Sequence, residues 1–347
     1  MSRTAIHVLP DFTPSSNPDL HALLNTFRTH HLIPSALSRH QQQLIYRTKY
    51  AAQLALDPIF ATLPNGEEVR LQHIDARKEC PSKWSVIRDG IALARTEADW
   101  RNLMGVLEGM KDVGAGLREG WCEKWTNAAF RAGYPDVALL ALRRVETTGL
   151  SLRMARVLYA TFLGIRGSAQ DEQGRWGDAE RVGRAARRAE VVAEMMEHPG
   201  HCGRRHAGIE DPRASPFVIG TVAEMVALRA RLAGDADGKE REKVRVYAGR
   251  LVASLEANRA QLDDTSLYEC DAAWDTERYR QQWLPVWHAL DECQKLLGDQ
   301  GMPNAAFAKT AKEQITRNLE AAEAYITEMD VDPESFVGPK TPEWMAR

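Results

Sequence analysis

Gly114 lies 35 residues before Gly149, and the apolar residues around the two glycines keep the same offset: Leu107 and Leu142, Met110 and Val145, Leu117 and Leu152. A period of that length fits one helix–turn–helix unit per repeat, with each glycine ending the second helix of a pair. Glycine suits that position because a helix often ends on a residue in the left-handed region, where a Cβ would clash. Read this way, residues 84–114, 117–149 and 150–198 form three helix pairs, the last carrying an insertion around 165–175. A fourth pair at 216–259 and further helices at 274–297 and 304–329 extend the stack into an α-solenoid. The same pattern also fits an ordinary helical bundle in which the glycines coincide by chance.

Elsewhere the apolar spacing is helical as well. Trp100, Leu103, Leu107 and Met110 follow a 3,4,3 spacing, and Val218, Val222, Met225, Leu228 and Leu232 a 4,3,3,4 spacing. Thr96 followed by Asp99 predicts a capping box with Asp in place of the usual Glu. Asn17 before Pro18 predicts a helix start, because Asn accepts from free backbone N–H groups and Pro gives up a donor that had no partner. Helices are expected over 18–31 and 35–56, interrupted at Pro34 and stopped by Asp57-Pro58. Residues 59–63 and 67–74 around Pro64-Asn65-Gly66 predict a small β-hairpin. The fold class is all-α, and the organisation is an extended arm over 1–17, a cationic helical segment plus hairpin over 18–82, a helical-repeat domain over 83–330 and an extended tail over 331–347.

Composition narrows the function classes. With 44% hydrophobic and 27% charged residues among 347, the chain has a sizeable core to bury. It has no run of the roughly 18 to 20 apolar residues that a membrane-spanning helix needs. Forty-five Lys and Arg against 48 Asp and Glu leave a net charge of −3, so any nucleic-acid contact has to be local. The charge is segregated: residues 20–56 hold no Asp or Glu, whereas 299–347 hold nine acidic against five basic residues. Five scattered cysteines with no CxxC argue against a disulfide scaffold.

The run Arg131-Ala132-Gly133-Tyr134-Pro135-Asp136-Val137-Ala138-Leu139-Leu140, followed by Arg144-Val145-Glu146-Thr147-Thr148-Gly149-Leu150, resembles the turn and second helix of a pentatricopeptide repeat. Tetratricopeptide repeats share much of that pattern. Together with Leu37-Ser38-Arg39-His40-Gln41-Gln42-Gln43-Leu44-Ile45-Tyr46-Arg47 and Leu71-Gln72-His73-Ile74-Asp75, the arrangement resembles a fungal mitochondrial ribosomal small-subunit protein of the pentatricopeptide type. The resemblance implies a non-catalytic scaffold in the mitochondrial matrix, with ribosomal proteins and rRNA backbone as partners, and no small-molecule substrate or cofactor. The alternative is a mitochondrial pentatricopeptide-type RNA-binding factor for transcript stability or translation activation. Base-reading repeats carry Asn, Asp, Ser or Thr before and within the first helix. Here the corresponding pairs are Arg118 with Glu123 and Arg153 with Leu158, which cannot deliver that readout. The extreme N-terminus, with Arg3 and Asp11, is a poor amphipathic transit helix.

No catalytic signature is legible. Gly114-Ala115-Gly116-Leu117-Arg118-Glu119-Gly120 is one residue out of register for a dinucleotide loop, and there is no Walker loop, HExxH or GxSxG. His198, His201, Cys202 and His206 have metal-ligand residue types, but adjacent His201 and Cys202 rarely reach one ion together, so no zinc is expected. Trp274, Trp283, Trp287 and Tyr279 form an aromatic concentration whose simpler reading is core packing. Two sets of cations are candidates for RNA backbone: Arg39, Arg47 and Lys49 in the acid-free segment, and Arg181, Arg184 and Arg188 on one helix face. The second set is flanked by Glu180, Glu190 and Glu194, which favours the first.

Overall fold

A computed structural model describes residues 9–15, 17–203, 211–234, 238–263 and 273–328. Asn17 caps α1 (Pro18–Phe27), its side chain accepting from the Asp19 and Leu20 N–H groups. Pro34 does not end the helical path. Its missing N–H and ring are absorbed by a π-turn over Arg28–Leu32, where the Ile33 N–H reaches back to the Arg28 carbonyl, and α2 (Ile33–Ala36) continues beyond it. The helix expected over 35–56 is broken twice. Leu37 is extended ahead of a Ser38/Gln41 capping box that opens α3 (Arg39–Tyr46), and Arg47 is extended ahead of a 3₁₀ turn and α4 (Ala51–Leu56).

The hairpin forms where its turn chemistry places it. β1 (Phe60–Thr62) pairs antiparallel with β2 (Glu68–Arg70), Ala61 opposite Val69, and Gly66 takes φ 85° in the turn. It is the one sheet among the described residues. Beyond it come α5 (Lys83–Leu93), α6 (Glu97–Asp112), α7 (Glu119–Arg131), α8 (Pro135–Arg143) and the short α9 (Val145–Thr148). Then follow α10 (Ala155–Ser168), α11 (Ala179–Met195), α12 (Pro216–Ala233), α13 (Lys239–Ala257), α14 (Arg259–Asp263), α15 (Ala273–Gly301) and α16 (Ala305–Glu328). The all-α class holds. The chain divides into two compact units, 1–157 and 158–347.

In the first unit, α5 packs on α6 and α7, α6 packs on α8 and α9, and α7 packs on α8. Trp100 and Trp125, both buried, meet edge to face at 6.1 Å at its centre. The N-terminal arm is less bare than its composition suggests. Leu9 is buried, Phe12 lies 6.5 Å from the Phe27 ring, and Asn102 on α6 exchanges hydrogen bonds with the Thr13 backbone.

The expected helix stops at Gly114, Gly133 and Gly149 all have positive φ. At Gly114 the Ala115 N–H reaches Met110 O (3.0 Å) while the Gly114 N–H reaches Lys111 O, and Tyr134 with Gly133 repeats the arrangement on Ala129 and Phe130. Gly149 carries a second constraint, since a Cβ there would sit 2.8 Å from Leu117 Cδ1. At Gly133 a Cβ would meet nothing. Gly133→Ala is therefore expected to cost the left-handed backbone penalty alone, about 1–2 kcal/mol, and Gly149→Ala up to about 1 kcal/mol more, because the end of the Leu117 side chain has to shift. Urea denaturation midpoints of the two variants check the order.

In the second unit α12 is apolar on nearly every face and is surrounded by α11, α13 and α15, with α16 packed on α15. A helix hydrophobic all round belongs in a core. Gly220 lets α15 approach closely, its missing Cβ lying 3.0 Å from the Val286 Cα. The insertion expected from residue 165 starts later, because α10 runs to Ser168. Among the described residues no helix is long and apolar enough to cross a membrane.

Candidate functional site

The acid-free segment separates into spent and unspent cations. Arg28 is paired with Glu67 of the hairpin. His30 and His31 are held on backbone carbonyls, His30 Nδ1 3.0 Å from Thr26 O and His31 Nε2 2.9 Å from Pro81 O. Burial, joined by the charge of Lys83, holds His31 below its ordinary pKa. Arg39, at the first turn of α3, Arg47, in the break after it, and Lys49, in the 3₁₀ turn, are exposed and have no ion pair among the described residues. Lys49 lies 4.5 Å over the Tyr50 ring. The two helix breaks put these cations at turns rather than along one helix face.

The second candidate set is differently placed. Arg181 donates to Ser168 O at 3.0 Å, and Arg184 pairs with Glu180 at 3.0 Å. Arg188 is half-buried. Glu190 turns away from them, to Arg229 at 2.9 Å and to Lys243. The two sets lie in different units.

Other residues resolve into packing. Trp283 is buried, and Trp287 Nε1 donates to Thr316 Oγ1 at 2.8 Å, fastening α15 to α16 as the core reading expected. The Trp274 side chain lies outside the described residues, as do Arg204, Arg205, His206 and the tail from 329. His198 and His201 meet edge to face at 6.1 Å, and His201 and Cys202 are buried. Among the described residues no group of three or more His, Cys, Asp and Glu is placed to hold a metal ion.

Two features escaped sequence reasoning. In the second unit the buried Arg166 of α10 bonds both carboxylate oxygens of the buried Glu224 of α12, at 3.0 and 3.1 Å, and stacks 5.0 Å from the Trp176 ring. Burial pushes the Glu224 carboxyl up to about 7 against the pull of Arg166, and burial pushes His288 down to about 3. A lone Glu inside the apolar run of α12 was the available signal. In the first unit Trp84 and Trp121 stack 5.9 Å apart at an interplanar angle of 21°.

None of these arrangements pairs a nucleophile with a base or opens an acid–base dyad to solvent. What the first unit offers is an unneutralised cationic turn region beside a helical array. Residues 1–341 match the sequence model of one family, Mitochondrial ribosomal protein mS27. The chain belongs to the mitochondrial ribosomal protein mS27 family. It is also similar to the small ribosomal subunit protein mS27 of Neurospora crassa, 25% identical over 279 residues, which cover 75% of this chain and 69% of that one. As an mS27-family protein the chain is a structural component of the mitochondrial small ribosomal subunit, with ribosomal partners, and it is mitochondrial. The resemblance to a mitochondrial small-subunit protein, read from the sequence, is thereby borne out.

Proposed function

We propose that this mS27-family chain is a non-catalytic scaffold of the matrix-side ribosome whose first unit is a short pentatricopeptide-like solenoid and whose RNA-facing end is the Arg39, Arg47 and Lys49 region. Contacts between residues about one sequence period apart support the solenoid. Glu108 of α6 meets Arg144 at 3.6 Å and Thr147 Oγ1 at 2.9 Å, while Lys111 Nζ binds the carbonyls of Val145 and Glu146 at the end of the next second helix. Residues 111 and 146 are themselves 35 apart, so equivalent positions of neighbouring repeats meet.

The observation that carries the RNA-facing end is that three exposed cations lack carboxylate partners among the described residues. A phosphate exchanges only water and counterions there, whereas at Arg181 and Arg184 it must first break an existing bond. Replacing Arg39, Arg47 and Lys49 together by Ala is expected to weaken incorporation into small ribosomal subunits progressively as salt is raised, leaving the circular dichroism unchanged. Sedimentation of tagged protein with subunits over a salt series tests this. Incorporation unchanged at every salt concentration, with loss on replacing Arg181, Arg184 and Arg188, would transfer the assignment to α11. A transcript-specific factor would instead leave the subunits in high salt.

A further inference from the structure

Trp84 and Trp121 sit near the starts of α5 and α7, two first helices packed side by side in the proposed repeats. Both are only partly buried, unlike the buried Trp100 and Trp125. Their rings stack on each other, and each is also approached by a cation: the Arg118 guanidinium 6.0 Å from Trp84 and Lys124 Nζ 5.1 Å from Trp121. Two stacked indoles, one from α5 and one from α7, each with a cation over its ring from α7 or from Arg118 at its start, thus form a ladder in the first unit.

The neighbouring charges decide what could lie on it. Arg118 and Lys124 are exposed and have no ion pair among the described residues. The carboxylates close by are engaged: Glu123 pairs with Arg156 at 3.5 Å, Glu119 accepts the Arg156 backbone N–H at 2.8 Å, and Asp89 pairs with Arg88 at 2.7 Å. The backbone flanking Arg118 is uncrowded, since a Cβ at Gly116 would meet nothing and one at Gly120 only the Arg156 guanidinium at 3.6 Å. A flat apolar face flanked by unspent positive charge suits a ligand that carries a planar ring and an anion a few ångströms apart. An apolar peptide would leave both cations without a partner, and an acidic one would leave the indole faces unused.

We propose that Trp84 and Trp121, with Arg118 and Lys124, form a sequence-tolerant stacking site for an unpaired nucleotide of RNA, the base lying against an indole and the phosphate on Arg118 or Lys124. The proposal rests on the reading that this chain faces RNA. The indoles are not part of the Arg118/Glu123 pair, which cannot deliver base readout, so stacking here is independent of base identity. A base that displaces a cation from a ring face loses little, because the displaced cation moves to the phosphate of the same nucleotide.

The test uses the full chain and two probes, a short fluorescein-labelled oligouridylate and an RNA duplex of the same length, followed by fluorescence anisotropy across a salt series. Trp84→Leu with Trp121→Leu should weaken oligouridylate binding about 5- to 100-fold with an unchanged salt slope and leave duplex binding alone. Trp84→Phe with Trp121→Phe, which keeps two π faces, should restore most of the affinity. Arg118→Gln with Lys124→Gln should lower the salt slope by roughly 1. The proposal is overturned if the full chain does not bind oligouridylate, if the Leu pair binds it as tightly as the parent, if duplex binding falls in parallel, or if the Phe pair fails to restore. The Arg39, Arg47 and Lys49 triple variant separates the two readings. If it loses both probes while the Leu pair loses neither, the backbone assignment stands and the stacking site fails; the reverse pattern fails the backbone assignment alone.

Discussion

Replacing Arg166 by Met is expected to cost about 3–5 kcal/mol of folding stability. The guanidinium is 2% exposed and Glu224 is 0% exposed, so removing the cation strands a carboxylate with no water to solvate it. Its only way out is to bind a proton. In the parent, burial already lifts the Glu224 carboxyl to about 7 while the charge and hydrogen bonds of Arg166 pull it down. Without Arg166 that pull is gone and the pKa rises further. A carboxyl raised in the folded state contributes stability that is complete below its unfolded value and is lost as pH rises through the folded value. The Arg166→Met penalty should therefore be smallest near pH 5 and grow toward pH 8. Removing both charges, as Arg166→Met with Glu224→Leu, should return stability to within about 1–2 kcal/mol of the parent, because buried pairs are costly to break and cheap to replace. Urea unfolding of the single and double variants at two pH values decides it. A double variant as unstable as the single one would mean that packing against Trp176, not charge, is what Arg166 supplies.

That pair illustrates what sequence could not show. Arg166 and Glu224 are 58 residues apart, and no local period links them. By contrast the glycine stops, the Asn17 and Thr96 caps and the Asn65-Gly66 turn are decided within a few residues by backbone geometry, and each was legible. Pro34 misled because a π-turn can absorb a proline that a regular α-helix cannot. The break at Leu37 was in fact signalled by Ser38 and Gln41, whose capping box outweighs the helical preference of the run around it. The cations of the candidate RNA surface were legible as a composition bias. Which of them stay unneutralised was not, because Arg28 finds Glu67 across 39 residues and Arg181 finds a carbonyl in the preceding helix. The indole ladder was invisible for the same reason: Trp84 and Trp121 meet only once α5 and α7 lie side by side.

Asp99→Ala should be the next most damaging change, at about 2–4 kcal/mol. The Asp99 carboxylate is buried and satisfies three donors at once: Ser15 Oγ at 2.6 Å and the Arg95 and Thr96 N–H groups at 3.1 and 3.0 Å. Its own N–H closes the capping box on Thr96 Oγ1 at 3.3 Å. Truncation removes the carboxylate half of the capping box, so orphaning the Arg95 and Thr96 N–H groups, and releases the N-terminal arm at Ser15, whereas Ser15→Ala loses only the Ser15 contact and the bond Ser15 Oγ accepts from the Asn17 N–H. Ser15→Ala should cost about 1 kcal/mol. Burial alone would raise the Asp99 carboxyl, but the hydrogen bonds outweigh it and hold the group below its ordinary value. A carboxyl depressed by folding contributes stability that is present above its unfolded value and is lost as pH falls through the folded one. The difference between parent and Asp99→Ala should therefore be full at neutral pH and shrink below about pH 4, rising with pH as the Arg166→Met penalty does but across an acid window instead of a near-neutral one. Denaturation of parent and variant over an acid series measures it, and a difference independent of pH would show that the hydrogen bonds do not favour the ionised form.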